Sequence, residues 1–248
     1  MAIESATQND TARVPREIYG YAIFSDGDLG AAHVAAHDAF DRGAFEPGFR
    51  QLRSWLDGRT GTDSGSVHLH FHLALFELEL GRWHDAYTRF RQRLLPTAAE
   101  TTNALTDAPG LLWRLALSAP SPIALPWQPL QRRALTQLGR HCTPFVELHH
   151  LLTLAGAHDL QGLQHWLSRT PSGAPQGPDR LVQRAGVALC AYVKGDYREA
   201  AARLGQIAPA LRQLGGSAAQ HRLFEHLVGH CAAKADHAAA CDHCRLAA

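Results

Sequence analysis

Two His-x-x-x-His pairs, His33 with His37 and His68 with His72, carry the strongest chemical signal in this chain. Histidine is abundant throughout, at 16 residues, roughly three times what average usage places in a chain of this size. Residues four apart on a helix share a face, so each pair offers two imidazoles side by side. Neutral imidazole is a borderline-soft nitrogen donor suited to first-row transition metals. Two pairs on adjacent helices therefore predict a site for one or two divalent ions, Fe, Mn, Co or Zn. His149, with His150 beside it, lies on a third helical segment and is a candidate fifth ligand or general base. The competing reading of any single pair is a packed or solvated histidine in a His-rich chain. On that reading His84, His158, His165 and His237 are turn or surface residues, and His226 with His230 forms one further pair.

Acidic residues on apolar helical faces are few: Asp38, Glu77, Glu79, Glu147 and Glu225. Glu79 and Glu147 each lie near a His on the same segment, in reach of ligating a metal, orienting an imidazole or moving a proton. Glu77 reads as an exposed, solvated carboxylate. Cys241-Asp-His-Cys244, with Cys231 upstream, supplies one half of a zinc-finger spacing without the other half. These cysteines read as small packing residues on the final helix. The chain has no Gly-x-Ser-x-Gly nucleophile turn, no Gly-rich phosphate loop and no dinucleotide fingerprint.

The elements that must position these side chains follow from a repeat. Ala74 to Phe90 reads as a helix, a turn at Gly81 and a second helix, with small Ala86 at the helix crossing and Phe90 one turn later. The same pattern of Gly, a small residue five on and a bulky residue nine on recurs at Gly43, Gly48, Leu52 and at Gly195, Ala200, Leu204. Gly43 and Gly81 are 38 residues apart, and Gly81 and Gly195 are three such periods apart. Intermediate turns are predicted near 119, in the Pro-rich stretch Ser118 to Pro129, and near 157, in Leu154-Ala-Gly-Ala157-His-Asp. A last turn is predicted near Ala235. Apolar spacing of i, i+3, i+4 and few β-branched residues leave no strand. The expected fold is all-α: about six helix–turn–helix units of the tetratricopeptide type in a right-handed superhelix. Residues 1–15 form a flexible N-terminus and 16–248 one repeat domain, with a polar turn at 58–65 and a solvent loop at 170–178. Ile123, Leu125 and Trp127 pack the Pro-rich stretch against the helices. First helices of such units line a concave groove, which places both His pairs there.

Bulk properties narrow the function classes. A hydrophobic fraction of 46% with 19% charged residues is an ordinary globular balance. Lys+Arg 24 against Asp+Glu 23 leaves +1, without the basic excess of a nucleic-acid binder. No apolar run is long enough to span a membrane, and the polar start lacks a signal-peptide core. Five Cys, four of them late in the chain, argue against a disulfide framework and for a reducing, cytoplasmic setting.

The segments that carry the histidines also resemble a known family. His33-Val-Ala-Ala-His37, the run His68 to Gly81, Asp107-Ala-Pro-Gly-Leu-Leu-Trp113-Arg114-Leu, Glu147-Leu-His149 and Gly215-Gly-Ser-Ala-Ala-Gln220-His-Arg-Leu-Phe-Glu225 are together similar to the tetratricopeptide repeat protein 38 family, in the same order over most of residues 29–248. The resemblance implies that His33, His37, His68, His72 and His149 occupy the family's own histidine positions. It also suggests Asp107, Trp113, Arg114, Gln220 and Glu225 as groove residues that bind substrate. Where the family has Arg-Asp, this chain has His221-Arg222. Full-length members carry more repeats before the first His pair, so the resemblance implies a shortened array and a homodimer that covers its open end.

The leading expectation is a His-ligated, metal-dependent enzyme of a biosynthetic or other small-molecule pathway, acting on a polar substrate in the groove. A protein- or peptide-binding adaptor is the alternative, since binding is the common task of this fold. Haem held between facing histidines is the third.

Overall fold

Helical apolar spacing and capped starts yield eleven α-helices and no strand among the described residues. The structure is a computed structural model and describes residues 27–246 apart from 60, 62, 99–101, 122, 138–139, 141 and 170–176. The expected N-terminal segment 1–15 and most of the loop expected at 170–178 lie outside the described residues. Helices α1 (Gly27–Asp41), α2 (Phe45–Leu56), α3 (Ser64–Glu79) and α4 (Trp83–Arg89) come first, and α4 runs on into a π-helical turn, Phe90–Leu94. They are followed by α5 (Thr102–Ser118), α6 (Trp127–Gln137), α7 (Pro144–Gly156), α8 (Leu160–Arg169), α9 (Pro178–Val193) and α10 (Tyr197–Ile207). A 3-10 segment, Ala208–Leu214, leads into α11 (Ala218–Leu246).

Five of the predicted turns fall where the spacing puts them, the one near 119 as the break between α5, which ends at Ser118, and α6, which opens at Trp127. Gly43, Gly81 and Gly195 have φ of 70°, 72° and 81°, the left-handed region that favours glycine. At the 157 position the residue in that region is His158, with φ 54°. The small residue after each turn matters as the repeat requires. A Cβ on Gly48 would lie 2.6 Å from the Phe76 ring and 2.8 Å from Ala39 Cβ, so only glycine admits this approach of α2 to α3. Ala86, Phe90, Ala200 and Leu204 are completely buried.

The predicted turn at Ala235 is absent: α11 runs through it without a break. Ala233-Lys-Ala-Asp-His-Ala contains neither Gly nor Pro, and its alanines are the strongest helix formers, so nothing local stops the helix. The Pro-rich stretch also differs in part. Leu125 and Trp127 are half-buried as expected, and Trp127 opens α6, but Ile123 is exposed.

Among the odd-numbered helices, α1 packs on α3, α3 on α5, α5 on α7 and α7 on α9. α3 and α7 are buried around almost their whole circumference. Asp63 caps α3, accepting from Ser66 N at 3.0 Å, and Thr143 caps α7 with Pro144 in its first turn. α11 packs on α10 and also returns to α5 and α1. Buried apolar residues form two clusters, one from Ala36 to Leu130 with Ala219 of α11, the other from Trp113 to Cys231, and Trp127 packs against both. No helix among the described residues is long and apolar enough to cross a membrane.

A candidate four-histidine metal centre

His33 and His37 project from one face of α1, His68 and His72 from the facing side of α3, and the packing of these two helices brings all four rings together. His33 Nε2 is 3.0 Å from His37 Nε2 and 3.0 Å from His68 Nε2, and His68 Nε2 is 3.1 Å from His72 Nε2. One ligand atom from each ring falls within 4.8 Å of all the others, so this group could hold a metal ion. For metal–nitrogen bonds of about 2.0–2.1 Å, neighbouring ligand nitrogens lie about 3.0 Å apart at right angles and about 3.4 Å apart in a tetrahedron. The observed spacing matches the edge of such a shell. His68 and His72 are buried and His33 and His37 half-buried, so the group is reached from the α1 side.

Hydrogen bonding among the rings alone fits this geometry poorly. His68 Nδ1 lies 2.6 Å from Asp107 Oδ2 of α5, and an ionised carboxylate only accepts, so Nδ1 carries the proton and Nε2 the lone pair. His33 and His72 would then both have to donate to the one lone pair of His68 Nε2. The single proton on His33 Nε2 cannot also serve the His37 contact in line. A cation among the four lone pairs satisfies every ring at once. It also answers the charge of Asp107, which is 1% exposed, since a carboxylate withdrawn from water is costly without a compensating cation.

Protonation points the same way. Burial, then the repulsion a proton on His33 would meet from any proton shared with His68 or His37, lowers the pKa of His33 from 6.5 to about 3. Burial, then His68, lowers that of His37, and burial with the neighbouring rings holds His72 well below 6.5. These rings are neutral at pH 7, the state that ligates.

His149 does not join the group. Its Nδ1 donates to Phe145 O at 2.8 Å within α7, and its ring packs on Phe145 at 4.5 Å between centroids. The sequence places it on an inner helix, but the rotation of α7 turns it elsewhere. His149 and His150 are nonetheless buried, and burial lowers both pKa values to about 4. The folded protein keeps these rings neutral where the unfolded chain, titrating near 6.5, is protonated. The unfolded state therefore binds more protons below about pH 6.5, and stability is full above that pH and falls as pH drops toward 4. Each ring contributes a slope of about 1.4 kcal/mol per pH unit. Urea midpoints of chelator-treated protein measured from about pH 8 to about pH 5 should be level, then fall; a level profile throughout would contradict this burial.

The other candidates separate by location. Asp107 is not a groove residue: it stands behind His68 and orients its ring. Trp113 is a core residue, 1% exposed, with Nε1 donating to Leu152 O at 2.7 Å and its ring against Trp127 and Tyr192. Gln220 is a capping residue. Its Oε1 accepts from Ser217 N at 2.8 Å and Ser217 Oγ accepts from Gln220 N at 3.3 Å, a reciprocal cap that opens α11. Gln220→Ala is expected to cost about 1 kcal/mol in thermal unfolding without changing metal content. Glu147 is half-buried and accepts from Trp166 Nε1 at 2.7 Å, and its pKa is raised, first by burial. Glu77, expected in solvent, is 2% exposed and ion-paired to Arg89 through Oε1 at 2.6 Å and Oε2 at 3.0 Å. Asp38 is exposed and pairs with Arg42. His84, His158, His165 and His237 are exposed as expected. Cys231 is buried in the second cluster, and burial raises its thiol to about 11; the side chains of Cys241 and Cys244 lie outside the described residues.

Three candidates do share a space. Glu79, Arg114 and Glu225 border a cleft of about 530 Å³ between α3, α5 and α11. Glu79 follows His72 by seven residues, two turns along the same face of α3, and none of the four histidines lines this cleft. Glu79 and Glu225 are exposed. Arg114 is buried, its Nη1 donating to Gly110 O at 2.8 Å and its Nη2 to Ala219 O, and burial lowers its pKa to about 10.

The Asp107–His68 contact and the Glu77–Arg89–His70 chain are absent from the sequence reading. Asp107 and His68 lie on separate helices, as do Arg89 and its partners Glu77 and His70, with no spacing rule to join them. No protein-family model matches the chain, and no solved structure matches its fold.

Proposed function

We propose that this protein is a metal-dependent enzyme acting on a polar small molecule, with His33, His37, His68 and His72 holding one divalent Fe, Mn, Co or Zn ion. The observation that carries the reading is the convergence of four Nε2 atoms, one of them on a ring oriented by the buried carboxylate of Asp107. An ion bound there would act as a Lewis acid or lower the pKa of a bound water. The chain's own residues supply the rest. Glu79 is the candidate for proton transfer, since it alone of the three acid–base candidates shares the histidine-bearing face of α3 and borders the cleft between α3, α5 and α11, and Glu225 and the Arg114 charge set that cleft's polarity. The helix pairs are read as a right-handed tetratricopeptide-type array, in keeping with the resemblance to the protein 38 family.

Two other readings have less support. A peptide-binding adaptor needs an open inner face, and α11 packs back onto α5 and α1. Haem between facing histidines needs a gap wide enough for a porphyrin, and the Nε2 atoms stand 3.0 to 3.1 Å apart.

The test is elemental analysis of untagged protein, followed by reconstitution with each metal. About one ion per chain is expected, and Co(II) protein should show visible d–d bands of nitrogen ligation. Absence of a stoichiometric ion after reconstitution with Fe, Mn, Co and Zn would reject the proposal. Asp107→Asn, which keeps an acceptor but removes the charge, should weaken metal binding by about 10–100-fold in a chelator competition.

A further inference from the structure

The face of α3 opposite the four histidines borders another cleft, of about 480 Å³, shared with α2 and with the α4–π-helical segment. Arg53, His70, Glu77, Arg89 and Arg93 are among its lining. His70 is 4% exposed, and Arg89 Nη1 lies 3.1 Å from its Nδ1. A guanidinium only donates, so Nδ1 holds the lone pair and the ring's proton is on Nε2. That buried Nε2–H has no acceptor among the described residues. A buried donor without an acceptor is unfavourable, and a donor calls for a ligand that accepts.

The surrounding charges select the sign of that ligand. Glu77, the buried carboxylate of the cleft, is neutralised by Arg89. The Arg93 guanidinium makes no hydrogen bond or ion pair among the described residues. Arg53 is exposed, with its guanidinium 5.8 Å from the Phe49 ring centroid. Asp57 and Asp85 stand at the exposed rim. Arg93 is carried by the π-helical turn Phe90–Leu94, a distortion that recurs at functional sites.

We propose that this cleft binds a phosphate-type oxyanion, the phosphate of a small molecule, held by His70 Nε2–H and the guanidinium groups of Arg93 and Arg53. Arginine forks match the tetrahedral oxygens of phosphate, and a small phosphorylated molecule fits the volume. The site stands apart from the metal reading, because it uses the other face of α3.

The experiment is calorimetric titration of the full chain with inorganic phosphate and with glycerol phosphate, at ionic strength held constant with sodium chloride. Saturable binding is expected, at least about tenfold weaker in Arg93→Met and in His70→Leu, each with unchanged circular dichroism. Arg93→Met alters a half-buried side chain without a partner among the described residues and keeps the test decisive if His70→Leu fails to fold. His37→Ala protein, altered on α1 at a half-buried position, should bind phosphate as the wild type does; loss there would place the anion at the four histidines and overturn the proposal. Tighter binding of the ester supports a phosphorylated small molecule, and equal binding supports recognition of the phosphate group alone. A response that does not saturate, or that persists undiminished in Arg93→Met, would overturn it.

Discussion

His72→Ala protein is expected to lose its metal and, with it, the stabilisation that metal confers. Removing a ligand should weaken binding beyond the roughly 10–100-fold that follows loss of an outer hydrogen-bond partner. At a free metal concentration about a thousand times Kd, the wild type gains about 4 kcal/mol from binding, a gain that disappears in the variant. Two substitutions separate the metal from the packing. His72 is 1% exposed, so its replacement also disturbs the core, whereas His37 is half-buried and His37→Ala should leave metal-free stability nearly unchanged. Both variants should lack the metal-induced rise in Tm that the wild type shows. A His37→Ala protein that keeps a stoichiometric ion and the full rise in Tm would contradict the four-ligand centre.

Glu77→Ala is expected to destabilise the protein by about 3 kcal/mol, at the lower end of the range for breaking a buried ion pair because Arg89 keeps some solvent contact. The loss comes less from the pair's attraction than from what remains, a guanidinium held against His70 without its carboxylate. The double variant Glu77→Leu with Arg89→Met removes both charges and should recover much of the loss, since apolar replacements of buried pairs are often neutral or better. Urea unfolding of the two single variants and the double variant completes the cycle. If Glu77→Ala costs less than about 1 kcal/mol, the pair behaves as a surface salt bridge, and the burial assigned to Glu77 is wrong.

The two pairs at His33/His37 and His68/His72 were legible as pairs because four-residue spacing is a local property of a helix. The turns at Gly43, Gly81 and Gly195 were legible for a similar reason, since a left-handed backbone position favours a particular residue type. Even the reciprocal cap of α11 is written in Ser217-Ala-Ala-Gln220, a local spacing in which each residue's side chain meets the other's backbone N–H. The turn assigned to Ala235 shows the limit of periodicity: a period marks where a turn would fall, and only breaking residues make one.

What tertiary structure decided is how the helices are rotated against one another. Rotation turned α1 and α3 so that four imidazoles meet, and turned α7 so that His149 bonds to its own backbone instead. It set Asp107 behind His68 across 39 residues of chain, and Glu77 against Arg89. It also brought α11 back onto α5, which buried Arg114 beneath Ala219 and shaped the cleft that Glu79 borders. Local sequence determines which residues share a helical face. Which faces meet depends on the packing of many side chains from distant segments, and no spacing within one helix encodes it.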